Sequence, residues 1–72
     1  MALRIRTIDD LIELVNEGTR NFNNADLQGA DLMEADLEQY SFVGANFQGA
    51  NLEGAYLSGS DLTNANLEGA NL

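Results

Sequence analysis

From Phe22 onward a large apolar residue stands at every fifth position: Phe22, Leu27, Leu32, Leu37, Phe42, Phe47, Leu52, Leu57, Leu62, Leu67 and Leu72. All eleven are leucine or phenylalanine. Two positions before these centres, eight of eleven residues are alanine, and apart from Ala2 every alanine of the chain keeps this register. One position before, nine of eleven are Asn or Asp, with Ser41 and Tyr56 the exceptions. Two positions after, six of ten are glycine. The position directly after the centre varies, from Asn23, Met33 and Val43 to Thr63 and Glu68.

A period of five fits neither the two-residue period of a strand nor the 3.6 of a helix. It fits a chain that turns a corner once per unit, so that every Leu or Phe points at a common axis. Four right-angle corners close a square coil of twenty residues, and successive coils stack about 4.8 Å apart. The exceptions support twenty: Arg20, Tyr40 and Ser60 replace the small residue and stand twenty apart, as do Phe22 and Phe42. Burying each central side chain stabilises the coil by roughly 1.5–3 kcal/mol. Alanine shares a narrow interior that admits no second large group. Asn and Asp bond nearby backbone in turns. Glycine permits the positive φ that corners require. Tyr40 is too large for an alanine slot, so a local bulge or an outward turn is expected there.

The run Ala-Asp/Asn-Leu-X-Gly, as in Ala25-Asp26-Leu27-Gln28-Gly29 and Ala50-Asn51-Leu52-Glu53-Gly54, resembles the pentapeptide repeat family, in a bacterial, cyanobacterial-like form. The resemblance spans residues 20–72. It implies an all-β solenoid, a right-handed quadrilateral parallel β-helix, here of about 2.6 coils at twenty residues each. The handedness comes from the resemblance, not from the spacing. The resemblance also implies a structural or protein-interaction module, and one subset of the family mimics DNA to inhibit gyrase.

Residues 1–19 do not repeat and are expected to form an N-terminal cap. Leu3-Arg4-Ile5-Arg6 alternates like a short strand over 3–6. A helix is expected over about 7–17, with Thr7 as N-cap and Asp10 completing an acidic form of the capping box. Ile8, Leu11, Ile12 and Val15 form its apolar stripe, and Gly18 its stop. So short a helix must dock on something. The mouth of the first coil is the nearest apolar surface, and the resemblance also implies a helix followed by Gly18-Thr19-Arg20-Asn21-Phe22. No matching cap follows Leu72. The edge there is expected to continue in a longer protein, to pair with a second copy, or to be covered by another protein.

Composition narrows the chemistry. The chain has 72 residues, twelve acids, three arginines and a net charge of −9. Residues 21–72 hold eight of the acids and no base, which argues against direct nucleic-acid binding and favours basic partners. Histidine and cysteine are absent, which removes imidazole bases, thiolates, disulfides and Cys/His zinc sites. A thin solenoid offers no cleft to split carboxylate pKa values, so no catalytic residue is assigned and no enzyme is expected. At the twenty-residue offset Asp26 meets Asn46, Asp31 meets Asn51, Asp36 meets Tyr56 and Glu53 meets Met33. No acid stacks on another, so no metal cage and no cofactor is expected. Met33, Val43 and Tyr56, with Tyr40, are candidates for a contact patch. Arg4, Arg6 and Arg20 read as surface charge or helix-end contacts. No run is long and apolar enough for a membrane span, and a cytoplasmic protein is expected. The most economical function is a non-enzymatic structural or interaction module with a rigid acidic surface. The alternative is a DNA-mimicking inhibitor of an enzyme such as gyrase, opposed by a rod of only about 12 Å.

Overall fold

The computed structural model of the chain describes residues 3–72, so the first two residues of the cap expected over 1–19 lie outside the described residues. The one helix among the described residues, α1, spans Ile8–Asn16. No continuous strand forms among them. Instead nine isolated parallel bridges hold the chain together. Seven of these join residues twenty apart: Asn21 to Ser41, Asp26 to Asn46, Asp31 to Asn51, Asp36 to Tyr56, Ser41 to Asp61, Asn46 to Asn66, and Asn51 to Asn71. A coil therefore has four sides, centred in the first coil on Phe22, Leu27, Leu32 and Leu37. We call these sides one to four. Each side is too short for a ladder because a corner follows every bridge.

The central residues meet on the axis as the period predicts. Phe22, Leu27, Leu32, Leu37, Phe42 and Phe47 are fully buried, and Leu52 nearly so, together with Ala25, Ala30, Ala35, Ala45 and Ala50. Phe22 and Phe42 stack with ring centroids 5.3 Å apart and planes 18° from parallel. Phe47 meets Phe42 edge-on at 5.2 Å. Such aromatic pairs add about 0.5–1.5 kcal/mol beyond the area they bury.

The corners account for the Asn/Asp preference. The Oδ1 of Asn21, Asp26, Asp31, Asp36, Asn46, Asn51, Asp61 and Asn66 each accepts the backbone N–H two residues on. At Ser41, which lacks that oxygen, Asn23 of the coil below substitutes. Its Oδ1 accepts both the Ser41 hydroxyl and the Val43 N–H. The residue directly after that N–H, three after the Asx residue, turns with positive φ. That residue is glycine at Gly29 (φ 68°) and Gly54 (φ 70°), but Glu34 (φ 61°) and Gln39 (φ 68°) take the same conformation despite having side chains. Left-handed backbone costs a side chain about 1–2 kcal/mol. Stacking adds a second constraint. A Cβ placed on Gly54 would lie 3.1 Å from Cγ of Glu34 in the coil below, whereas one on Gly29 meets nothing within 4 Å.

The bulge or outward turn expected at Tyr40 is a smaller departure: from residue 25 to 70, Tyr40 is the one small-position residue whose N–H does not close the turn onto the preceding centre's carbonyl. The ladder runs through it: Ser41 N–H donates to the Arg20 carbonyl, and Asp61 N–H to the Tyr40 carbonyl. The column neighbours of Tyr40 are Arg20, whose guanidinium carbon lies 5.8 Å from the ring centre, and Ser60. The ring leans half-buried against Phe22, edge-on at 5.5 Å.

The N-terminal segment is an irregular part-coil rather than the expected strand. Arg4 bridges Asp26 and Thr7 bridges Asp31, so three residue steps underlie what takes five in the next coil. The segment omits a corner, and Ile5 enters the core fully buried in the register of Leu27. The chain then starts α1. Thr7 Oγ1 accepts the Asp10 N–H, and Asp10 Oδ2 accepts the Thr7 and Arg6 N–H groups, which completes the capping box. The helix ends at Glu17. Gly18 (φ 95°) donates to Val15 O and Thr19 donates to Leu14 O, a Schellman pair. Leu11 is buried in the core cluster, with Ile8, Leu14 and Val15 packed beside it.

Two measurements test this packing. Leu11→Ala should cost about 2–5 kcal/mol in urea unfolding, while Ile12→Ala, at a residue 47% exposed, should cost far less. An equal effect of the two would contradict the docking of α1. Gly54→Ala should destabilise more than Gly29→Ala, and the excess should vanish in a Glu34→Gly background, where the stacked side chain is gone.

Candidate interaction surface

The outward positions are spread over all four sides rather than gathered at a cleft. Met33 belongs to side three and Val43 to side one, which are opposite sides of the coil, so the four candidate contact residues do not form a single patch. Met33 is 42% exposed and Tyr56 61% exposed. Tyr56 stands on side four directly above Asp36, whereas Tyr40 opens side one of the second coil, in the unit of Phe42 and Val43. Tyr40 and Val43 therefore share side one, while Met33 and Tyr56 stand on sides three and four. The sequence carried a signal for this in the twenty-residue offset, which puts positions 36 and 56 in one column and positions 40 and 43 on the following side.

The acids are distributed with equal regularity. Along the bridges Asp26 meets Asn46, Asp31 meets Asn51, Asp36 meets Tyr56 and Asp61 meets Ser41. Each carboxylate is thus stacked on a neutral neighbour, and like charges stay out of register. Glu68 accepts a hydrogen bond from Gln48 Nε2 at 3.2 Å. Asn51 and Asn71 join in the same way, with Nδ2 of Asn71 donating to Oδ1 of Asn51. No group of three acids among the described residues stands close enough to hold a metal ion.

Two of the three arginines are tied to backbone. Arg6 donates to the Gln28 carbonyl at 2.6 Å and faces Asp26 across 3.8 Å. An ion pair as solvated as this one is worth no more than about 1 kcal/mol. Arg20 donates to the carbonyls of Val15 and Thr19 at the end of α1, where a cation complements the helix dipole. Its guanidinium carbon also sits 5.8 Å from the Tyr40 ring centre. These contacts agree with helix-end and surface roles.

A groove of about 330 Å³ opens between α1 and the first coil. Ile8, Leu11, Ile12, Val15 and Ala35 supply an apolar lining, with Tyr40 at one end and Glu34 and Asp36 as its acids. Sequence reasoning did not find it. The exposed Ile12 was its one trace, hidden within an otherwise ordinary apolar stripe.

This is a four-sided solenoid built from five-residue sides. The pentapeptide repeat family matches residues 21–39 and 41–72 in eight copies, and the chain belongs to that family. Membership implies the right-handed sense of the β-helix. The chain is also similar to a solved pentapeptide repeat protein from Nostoc Pcc 7120, at 31% identity over 92% of this chain and 75% of that one, with a TM-score of 0.43. No curated protein matches it.

Asp61 is more acidic than an ordinary carboxyl. The Thr63 hydroxyl and the Thr63 N–H both bond its carboxylate and hold it below the ordinary 3.8. A lowered folded pKa makes the ionised form a stabilising contribution above the unfolded pKa, lost as pH falls through the folded one. Melting curves between about pH 4 and pH 2 should therefore show a steeper loss in the native protein than in Asp61→Asn, which keeps the turn oxygen but cannot titrate. Parallel curves would contradict it.

Proposed function

We propose that the chain is a non-enzymatic module that presents a rigid acidic solenoid to a protein partner or serves as a structural segment. The observation that carries this reading is the ladder itself. Eight corners are fixed by Asx hydrogen bonds, and the carboxylates on them are held at fixed spacing yet alternate with neutral residues. Such a surface is prepaid in conformational entropy, which favours binding a complementary basic surface. In this reading the repeats form a β-helix of about 2.6 coils, α1 closes its N-terminal mouth, and the protein works in the cytoplasm.

The DNA-mimic alternative draws on acidity and family resemblance. Its weakness is length, since the longest extent of the molecule is 29 Å, helix included. Absence of gyrase inhibition in a supercoiling assay at micromolar protein removes it. Self-association through the last coil is a second proposed contact, because Leu57, Leu62 and Leu67 remain half-buried there. Sedimentation at several concentrations reads it directly.

The Asx corners supply the decisive variant. Asp31, Asp36 and Asp61 replaced together by Asn should keep the melting temperature near neutral pH, because the turn oxygens remain. As immobilised bait, the native protein should recover a discrete partner that elutes with salt and that the Asn variant fails to hold. Recovery of no partner by the native protein would leave only the structural role, and equal recovery by both would exclude the acids as the contact.

A further inference from the structure

Side four of the first coil has a free edge. From Asp26 to Asn71, every amide at the Asn/Asp position donates to a backbone carbonyl of the chain beneath it, with one exception. The exception is Asp36. Among the described residues its N–H meets no backbone carbonyl and its C=O meets no backbone N–H. The cause lies in the N-terminal segment. Residues 3–7 run beneath sides two and three and bond to Asp26 and Asp31. The chain then leaves the ladder to form α1, which offers side chains but no backbone partner. The groove of about 330 Å³ lies where that missing segment would run, with Ala35 and Asp36 on one wall and Ile8, Ile12 and Val15 on the other.

We propose that this groove takes an extended basic–apolar–basic segment of a partner protein, paired by its backbone to the free edge at Asp36. The inference rests on the interaction-module reading and names its site. An unpaired sheet edge is a template for strand addition, in which main-chain bonds give affinity and side-chain pockets give specificity. Charge sets the flanking residues: Glu34 and Asp36 line the groove and no base does. The volume is at the small end of binding pockets and suits one large apolar side chain with its neighbours.

The protein already contains the matching half of this contact. On the opposite side, side two, Arg4-Ile5-Arg6 lies in the same relation to Asp26. The Asp26 N–H donates to the Leu3 carbonyl at 2.7 Å, and the Ile5 N–H donates to the Asp26 carbonyl at 2.9 Å. Ile5 enters the core, and Arg6 reaches Asp26 and the Gln28 carbonyl. A partner segment of the same pattern would repeat these bonds two sides further on, at Asp36.

The probe is a capped synthetic peptide of sequence Leu-Arg-Ile-Arg, titrated into the ¹⁵N-labelled full chain. The expected result is a saturable shift of the Asp36 amide and slowed exchange of its proton, with shifts at Ile12 and Tyr40. A Leu-Glu-Ile-Glu peptide should give none. Replacing the isoleucine by proline, which lacks the N–H that would donate to the Asp36 carbonyl, should weaken binding severalfold. Ile12→Asp, at an exposed residue, should abolish the shifts with the fold intact. Asp36→Asn, which keeps the corner oxygen, should weaken binding severalfold and flatten its salt dependence. A silent Asp36 amide overturns the proposal, whether the peptide binds elsewhere or not at all. The wider reading then stands or falls on recovery of a partner by the bait. A concentration-dependent dimer broken by Ile12→Asp also overturns it, by assigning the groove to a second copy.

Discussion

Everything in this molecule depends on the dry column that leucine and phenylalanine make along the axis. A five-residue side has one bridge and one corner, too little to be stable alone. It persists because its central side chain is stacked between the centres of the coils above and below. Phe22 on Phe42 is the plainest case, and Leu27, Leu32 and Leu37 are buried in the same manner. Once the column is in place the corners must fall in register. The small residue, the Asx residue and the positive-φ residue are then each confined to a column of their own.

That confinement explains why charge and structure are hard to separate on this surface. An Asp at the corner is first a hydrogen-bond acceptor for the second N–H along, a task Asn performs equally at positions 21, 46, 51 and 66. The choice of Asp over Asn is therefore free of folding demands at most corners and open to selection for charge. At Asp61 the additional Thr63 hydroxyl ties the charge more closely to the backbone.

The N-terminal region departs from the repeat and provides the asymmetry. Its part-coil covers two sides of the first coil, α1 packs Leu11 into the core, and Arg20 bonds the carbonyls at the end of the helix. A helix cannot continue a β-ladder, because its N–H and C=O groups are spent along its own axis. The fourth side is left with an unpaired backbone and an apolar groove beside it. The groove thus arises where the repeat stops, not within it.

The period of five, the twenty-residue coil, the inward column, the capping box from Thr7 to Asp10 and the stop at Gly18 were all legible in the residue order. Each rests on a local rule or on a repeat long enough to be unmistakable. The bulge or outward turn expected at Tyr40 came out as a lost turn bond with the inter-coil pairing intact, because residue size alone does not fix the space its neighbours leave. The strand expected over Leu3–Arg6 became a part-coil that omits a corner, a register decided only by where Ile5 meets the core. The patch expected from Met33, Val43, Tyr40 and Tyr56 was divided among sides by the turns. The groove at Asp36 depends on how α1 packs beside the first coil. Local hydrogen bonding and periodicity are written in neighbouring residues, whereas the space left between two unlike elements exists only once they have packed.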